Sequence, residues 1–315
     1  MLLSRTPALP SPGATLPDAR AAKTIIVTAG DSKVMPMLQG LVRSLEAFAE
    51  RDTVEIGCLD VGQSAADRAW LAARGVTLAT PTTHLGVPDA RLKPYERAFV
   101  ARPFLREYFP GRDIYIWIDS DVWLQGWWVI EDFRRGALAT GFAIAHERER
   151  AYAFQGWLYA WFAKHLVLGY GVADGAWLLS RRHLNAGLFA MRADSPHWQL
   201  WVDTYQAAWE RTGTFNPHDQ FSINRLVHGG VFARPQQPAT LLPPRYNWIC
   251  ARGQPMWNDA AEALCEPYPP YRPIGAVHLA GPGKTTRYTI RRTGGGAFEA
   301  LLTQGVRPPA GPAGG

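Results

Sequence analysis

An α/β fold with a mainly parallel central sheet flanked by helices is what this sequence predicts, on three observations. Short β-rich apolar runs alternate with segments of helical spacing through the first third of the chain, the pattern of βαβ units. The first run, Lys23 to Gly30, is apolar and closed by glycine, which reads as a buried strand. The chain has 315 residues, 47% of them hydrophobic, enough for one large core or two modest ones.

The elements follow in order. After the first strand, Leu38, Leu41, Val42, Leu45 and Phe48 recur at helical spacing. "TVEIGCL" reads as the second strand, Ser64 to Ala73 as a helix, and "GVTLAT" as the third strand. "YERAFVARPFLREYF" reads as a helix in which Pro103 marks a kink or restart. It leads into "RDIYIWIDSDVWLQ". The aromatic section from Gly141 to Arg182 shows no clear period. Beyond it, "AGLFAM" predicts a strand, and "SPHWQLWVDTYQAAWER" a helix with Ser195 as N-cap and Pro196 at its first position. "PHDQFSINRLVH" predicts a short helix, Pro235 to Pro273 little regular structure, and "GAVHLAG" a last strand. The expected organisation is one domain over residues 23–300, between loose Pro- and Gly-rich tails at 1–22 and 301–315.

Composition narrows the classes. Charged residues are 19% of the chain, a globular rather than a disordered balance. No apolar run reaches the roughly 18 residues a bilayer span needs. The first segment is too short for a secretory signal, and Cys58, Cys250 and Cys265 show no pairing or metal spacing. A cytoplasmic location is the expectation. The net charge is +6, and Pro267 to Phe298 holds no acid but has Arg272, Lys284, Arg287, Arg291 and Arg292. That stretch reads as a solvated surface, a phosphate clamp or a peripheral contact with an anionic membrane. Nucleic acid is not expected, because no comparable basic stretch occurs elsewhere.

The apolar run from Ile114 stops on Asp119-Ser120-Asp121 before Val122, Trp123 and Leu124 resume. Ionised carboxylates beside apolar surface need a positive partner. A surface turn or a metal ion would each answer the need, and a lone Asp-x-Asp does not choose. Its place at the carboxyl end of a parallel strand is where open α/β sheets bind ligands.

Downstream come "LNAGLFAM", "HDQFSIN", "RYNW" and "HLAGPGK". In this order and at these intervals, the motifs resemble the retaining GT-A glycosyltransferases of family 8, which include bacterial lipopolysaccharide galactosyl- and glucosyltransferases and glycogenin. The resemblance runs from about Lys23 to Lys284. It implies a GT-A, Rossmann-like fold and transfer of a hexose from a nucleotide sugar, UDP-linked by expectation, to a hydroxyl of a saccharide, glycolipid or other acceptor. Retention of anomeric configuration comes from the resemblance alone.

Residue by residue, the resemblance makes Asp119 and Asp121 a DXD motif that, with His278, holds a divalent cation. Oxygen ligands with one imidazole favour Mn²⁺ over Ca²⁺, with Mg²⁺ left open. Such a cation offsets the charge developing on the departing diphosphate. Gly281 and Gly283 allow close backbone approach to a phosphate, and Lys284 adds a point charge. The family continues its lysine with Pro-Trp where this chain has Thr285-Thr286. Arg102 matches an arginine that contacts the donor, Ala29 and Asp31 match positions that hold uracil, and Ser120 lies within the motif. Lys33 stands where relatives have an uncharged residue. Asn185, Ala186 and Gly187 match the donor-sugar segment. Asp219 and Gln220 match the catalytic pair, Asp219 gripping sugar hydroxyls and Gln220 lying beneath the anomeric carbon. A neutral amide is a poor nucleophile, which favours front-face attack by the acceptor hydroxyl.

Seven of the 13 tryptophans fall between Trp117 and Trp177. They suit a core, sugar stacking or a membrane interface alike, and the section from Phe142 to Arg182 is the expected wall of an acceptor pocket. Two alternatives stand beside the transferase. A sugar nucleotidyltransferase would share the sheet and an aspartate, but the glycines and arginine of its activating loop are missing. A silent nucleotide-sugar or glycan-binding module would not need Asp119, Asp121, His278 and Lys284 together.

Overall fold

The computed structural model describes residues 21–231, 237–303, 305, 306 and 308. Most of the tail expected at 1–22, and residues 309–315 of the other, lie outside the described residues. The packed chain runs slightly past residue 300, since a strand ends at Leu301 and Leu302 is buried.

A seven-stranded sheet forms the centre. Its strands are β1 (Thr24–Gly30), β2 (Glu55–Asp60), β3 (Val76–Ala79), β4 (Ile114–Ile118), β6 (Phe142–His146), β7 (Leu184–Arg192) and β8 (Thr240–Leu242), in the order β3-β2-β1-β4-β7-β6-β8. Only β7 runs against its neighbours, so the sheet is mainly parallel, as expected. Successive residues of a strand face opposite sides, and the core divides accordingly. Ile25, Val27, Tyr115 and Trp117 pack with Trp198 and Trp201 on one face, and Ile26 and Ile116 with Leu38, Leu41 and Phe133 on the other.

Helices α1 (Met35–Glu46), α2 (Ala65–Ala72) and α5 (Trp128–Thr140) bury residues in the second layer. The first layer takes α3 (Pro94–Ala101), α4 (Leu105–Tyr108), α8 (His197–Thr212) and α9 (His218–His228). Between α3 and α4, a 3₁₀ turn spans Arg102–Phe104. The helix read over 95–109 therefore restarts at Pro103, which cannot donate an interior backbone bond. The helix expected to be capped by Ser195 begins at His197 with Pro196 as its cap. Ser195 Oγ still accepts the His197 N–H at 3.4 Å, so the hydroxyl serves the turn one residue further out.

Beyond Ile118 the chain turns, and two later expectations change. "IYIWIDSDVWL" is two strands, because Val122 N–H donates to Asp119 O at 3.0 Å and turns the chain. After the turn, β5 (Val122–Leu124) enters a second sheet with β9 (Trp248–Ile249) and β12 (Ala276–His278), in the order β5-β12-β9. The section 235–273 holds β8, β9, β10 (Met256–Asn258) and β11 (Ala263–Cys265), all too short to show a period. Nor is β12 the last strand: β13 (Arg287–Arg291) and β14 (Ala297–Leu301) form a hairpin whose Ile290 and Phe298 join Trp123, Trp248 and Trp257 in a separate cluster. The aromatic middle resolves into β6 and two helices, α6 (Gly156–Tyr170) and α7 (Val172–Leu179).

Candidate donor and metal site

Two registers assemble the acidic cluster. β4 and β7 pair antiparallel with Trp117 opposite Phe189 and Ile118 opposite Leu188. The next step brings Asp119 to Gly187, whose carbonyl accepts the Asp119 N–H at 2.8 Å. In the second sheet, His278 lies opposite Val122, and Leu279 N–H donates to Asp121 O at 3.0 Å. Asp119, Asp121 and His278 thus offer one ligand atom each, all within 4.8 Å of one another. The two aspartates converge from the turn between β4 and β5.

The donor set fits a cation. His278 Nε2 is 3.6 Å from Asp121 Oδ1, and Lys284 Nζ is 3.0 Å from Asp121 Oδ2. Burial pushes the Asp121 carboxyl up, but the His278 ring and the Lys284 ammonium outweigh it and hold the carboxyl below its ordinary value. Asp119 Oδ1 accepts from Trp117 Nε1 at 2.7 Å and from Arg102 at 2.5 Å. Gly187 supplies room. A Cβ there would lie 2.5 Å from His278 Cε1 and 3.0 Å from Asp119 Oδ2. The backbone at Gly187 is outside the left-handed region, so the requirement is space beside the cluster.

Behind the ligands runs a hydrogen-bonded relay. Gly187 N–H donates to Asn185 Oδ1 at 2.8 Å, which orients that amide. Asn185 Nδ2 then donates to Glu147 Oε1 at 2.7 Å, and Asn247 Nδ2 donates to Asn185 Oδ1 at 3.0 Å. Asn247 Oδ1 is left to accept from His278 Nδ1, also at 3.0 Å. With Nδ1 engaged by Asn247, Nε2 is the ring atom that faces the aspartates and the one through which the ring can meet a cation. Arg252 pairs with the other oxygen of Glu147.

Arg102 is a second hub. Its side chain is buried and its guanidinium bridges Asp119, at 2.5 Å, and Asp219, at 2.9 Å. It lies over the rings of Trp117 and Phe99, at 4.6 Å and 4.8 Å from their centroids. Burial pushes the Asp219 carboxyl up to about 6, with Arg102 working against the rise. Gln220 beside it is pinned at both ends, its Oε1 accepting the Ala186 N–H at 3.0 Å and its Nε2 donating to His183 Nε2 at 2.8 Å.

The remaining expected residues lie around this centre. Ala29 and Asp31 close β1 and the turn after it, and the register Val27↔Trp117 sets that end of β1 beside the end of β4. Asp31 Oδ1 accepts the backbone N–H of Lys33 at 3.0 Å. Ser120 is half-buried in the turn between the aspartates. Gly281 has φ +61°, a left-handed value that opens the 3₁₀ turn Gly281–Lys284 and aims Lys284 at Asp121. Gly283 packs on Tyr288, whose hydroxyl would be 2.9 Å from an added Cβ. Asn185 faces Glu147, Gly187 and Asn247, so its amide supports the site from behind.

Sequence reasoning did not single out Asn247, Glu147, Arg252, Trp117 or His183 as site residues. "RYNW" marked the segment of Asn247 without a role. The others carried no motif signal.

A galactosyltransferase, LgtC, solved in complex with donor and acceptor sugar analogues, is similar in structure: 16% identity over 82% of this chain and 87% of that one, TM-score 0.47. The glycosyltransferase GlyE of Streptococcus pneumoniae TIGR4 has 17% identity over 72% of this chain and 47% of its own, TM-score 0.43. The bifunctional glycosyltransferase WbbM has 13% identity over 82% of this chain and 46% of its own, TM-score 0.45. No family model matches the chain, and no curated protein does.

Proposed function

We propose that the protein is a retaining, metal-dependent GT-A glycosyltransferase, similar to family 8, that moves a hexose from a UDP-sugar to a hydroxyl acceptor. The observation that carries this reading is the convergence of Asp119, Asp121 and His278 around the space beside Gly187, with Lys284 at its edge. An oxygen-rich set with one imidazole suits Mn²⁺, with Mg²⁺ as the second choice. Held by Asp119, Asp121 and His278, such a cation would offset the negative charge that develops on the leaving diphosphate.

The chain's own residues divide the remaining work. Lys284 reaches the phosphates from the Gly281 turn. Ala29 and Asp31 hold the uracil at the end of β1, and Ser120 lines the donor between the aspartates. Arg102 holds Asp119 and Asp219 in fixed positions and faces the donor. Asp219, Ala186 and Gly187 line the sugar. Gln220, fixed at both ends, presents a neutral amide beneath the anomeric carbon, and neutrality argues against a covalent intermediate. The acceptor oxygen then bonds the anomeric carbon on the face from which the diphosphate leaves. The electron pair of the broken bond goes to the diphosphate, and the acceptor proton passes to its phosphate oxygen. A cavity of about 310 Å³, walled by Phe162 and Leu166 and ending on His183, suits the acceptor.

Calorimetric titration tests this reading. UDP should bind with Mn²⁺ and lose binding with EDTA, while GDP and dTDP bind more weakly. Equal UDP binding with EDTA would remove the metal from the mechanism, and no binding of any nucleotide would sink the assignment.

A further inference from the structure

Among the described residues, eight large hydrophobic side chains are exposed, and five of them lie between Phe154 and Leu179. Phe154 is 79% exposed, Trp157 68% and Val172 74%, with Leu168 and Leu179 also open to solvent. A sixth, Val231, donates its N–H to Asp174 of α7. The exposure is organised. Along α6, Trp157, Trp161, Lys164 and Leu168 recur at helical spacing on one face, and along α7 Val172, Ala176 and Leu179 do the same. At about 1.5 Å per residue, α6 alone extends this face over roughly 20 Å. The helices are held to the body from the opposite side, where Phe162, Leu166, Leu178 and Phe221 form their own cluster.

Charge on the segment that carries the two helices is mostly positive. From residue 154 to 182 the single acid is Asp174, which pairs with Arg225 at 2.8 Å. Lys164 stands within the apolar face, and Arg148 and Arg182 are exposed at the cavity that Leu179 also lines. Arg181 lies over the Trp177 ring at 3.3 Å. A tryptophan-bearing apolar face with a long-stemmed lysine and a basic rim matches the interfacial zone of a bilayer. A second copy fits less well, because a two-fold interface would set this basic rim against itself. The basic stretch near the C-terminus is less free, since Arg272, Lys284 and Arg292 are paired with Glu266, Asp121 and Asp259.

We propose that the exposed face of α6 and α7 docks onto an anionic lipid bilayer. No helix among the described residues is long and apolar enough to cross one, so the contact is peripheral. The face also adjoins the cavity that ends on His183, since Leu179 belongs to both. Docking stands on the exposed face itself; its use in presenting a lipid-linked acceptor rests on the function proposed above.

The test is sedimentation of the full chain with phosphatidylcholine vesicles, with and without phosphatidylglycerol, beside a Trp157→Glu/Val172→Glu variant. The protein should pellet with anionic vesicles, and the variant should bind them roughly tenfold less or weaker. Lys164→Glu should weaken binding to anionic vesicles more than to neutral ones. Both variants should keep the melting temperature and UDP affinity of the parent. Protein that stays in the supernatant at low salt overturns the proposal. So does a double variant that binds as the parent does, which would place the contact elsewhere, such as Arg287 and Arg291. A lipid-free dimer that the double variant dissolves would assign the face to a second copy. Vesicle binding without nucleotide binding would sink the transferase reading and leave docking standing.

Discussion

Asn247 Oδ1 engages Nδ1 of His278 at 3.0 Å, and this decides which ring nitrogen can meet a cation. The decision originates further away. Gly187 N–H orients the Asn185 amide, Asn185 orients Asn247, and Asn247 orients the ring. A side chain with no ligand atom of its own thus sets the chemistry of one that has it.

Replacing Asn247 by leucine should therefore weaken Mn²⁺ binding although all three ligands remain. The expected loss is roughly tenfold to a hundredfold in metal affinity, the usual size for a ligand-orienting partner. Titration of Mn²⁺ into the folded variant measures it. An affinity equal to that of the parent would mean that the ring does not bind the metal.

Gly187→Ala makes a complementary prediction. The added methyl would come within 2.5 Å of His278 and 2.8 Å of Asn185 Oδ1, so the ring or the strand must shift. Overpacking of this kind costs about 1–3 kcal/mol. Metal and UDP affinity should fall by more than the melting temperature suggests. Unchanged Mn²⁺ affinity would show that the space beside Gly187 is not the metal's.

How much of this was legible in the sequence depended on distance and period. The strand ends that hold Asp119 and His278 stood out as apolar runs closed by polar residues. The relay did not, because Glu147, Asn185, Asn247 and Arg252 come from separate parts of the chain and only pairing register unites them. Helices α6 and α7 escaped because they are apolar on the exposed face as well as the buried one, which erases the helical period. The β13 strand was readable in principle: Arg287, Thr289 and Arg291 alternate with buried Tyr288 and Ile290. The reversed direction of β7 has no local signal at all.

Arg102→Leu should be strongly destabilising. It leaves Asp119 and Asp219 facing each other without the guanidinium that bridges them. Breaking a buried pair in this way costs roughly 3–5 kcal/mol. Arg102→Lys should retain part of the loss, because one ammonium cannot reproduce the two-pronged contact. Urea unfolding at neutral pH gives both values. A leucine variant within about 1 kcal/mol of the parent, the range of an exposed pair, would place Arg102 at the surface.

The last prediction concerns pH and His183. Its Nε2 accepts from the Gln220 amide, so it must be unprotonated there to hold Gln220. The ring stacks on Phe162 at 4.3 Å and meets Phe221 edge-on at 5.4 Å. Burial lowers its pKa, Glu147 opposes that, Arg252 adds to it, and His228 is the other titratable group nearby. A folded-state pKa below the unfolded value, about 6.5, contributes stability above that value, and the contribution is lost as pH falls through the folded pKa. Asp219, raised to about 6, sets the first acid limb of turnover, and a further decline owed to His183 should follow only below the ordinary histidine range. His183→Phe should lower kcat roughly tenfold through a misplaced Gln220, leave the KM for donor nearly unchanged, and abolish that further decline. A phenylalanine variant that keeps the parent's further decline would remove His183 from the positioning of Gln220.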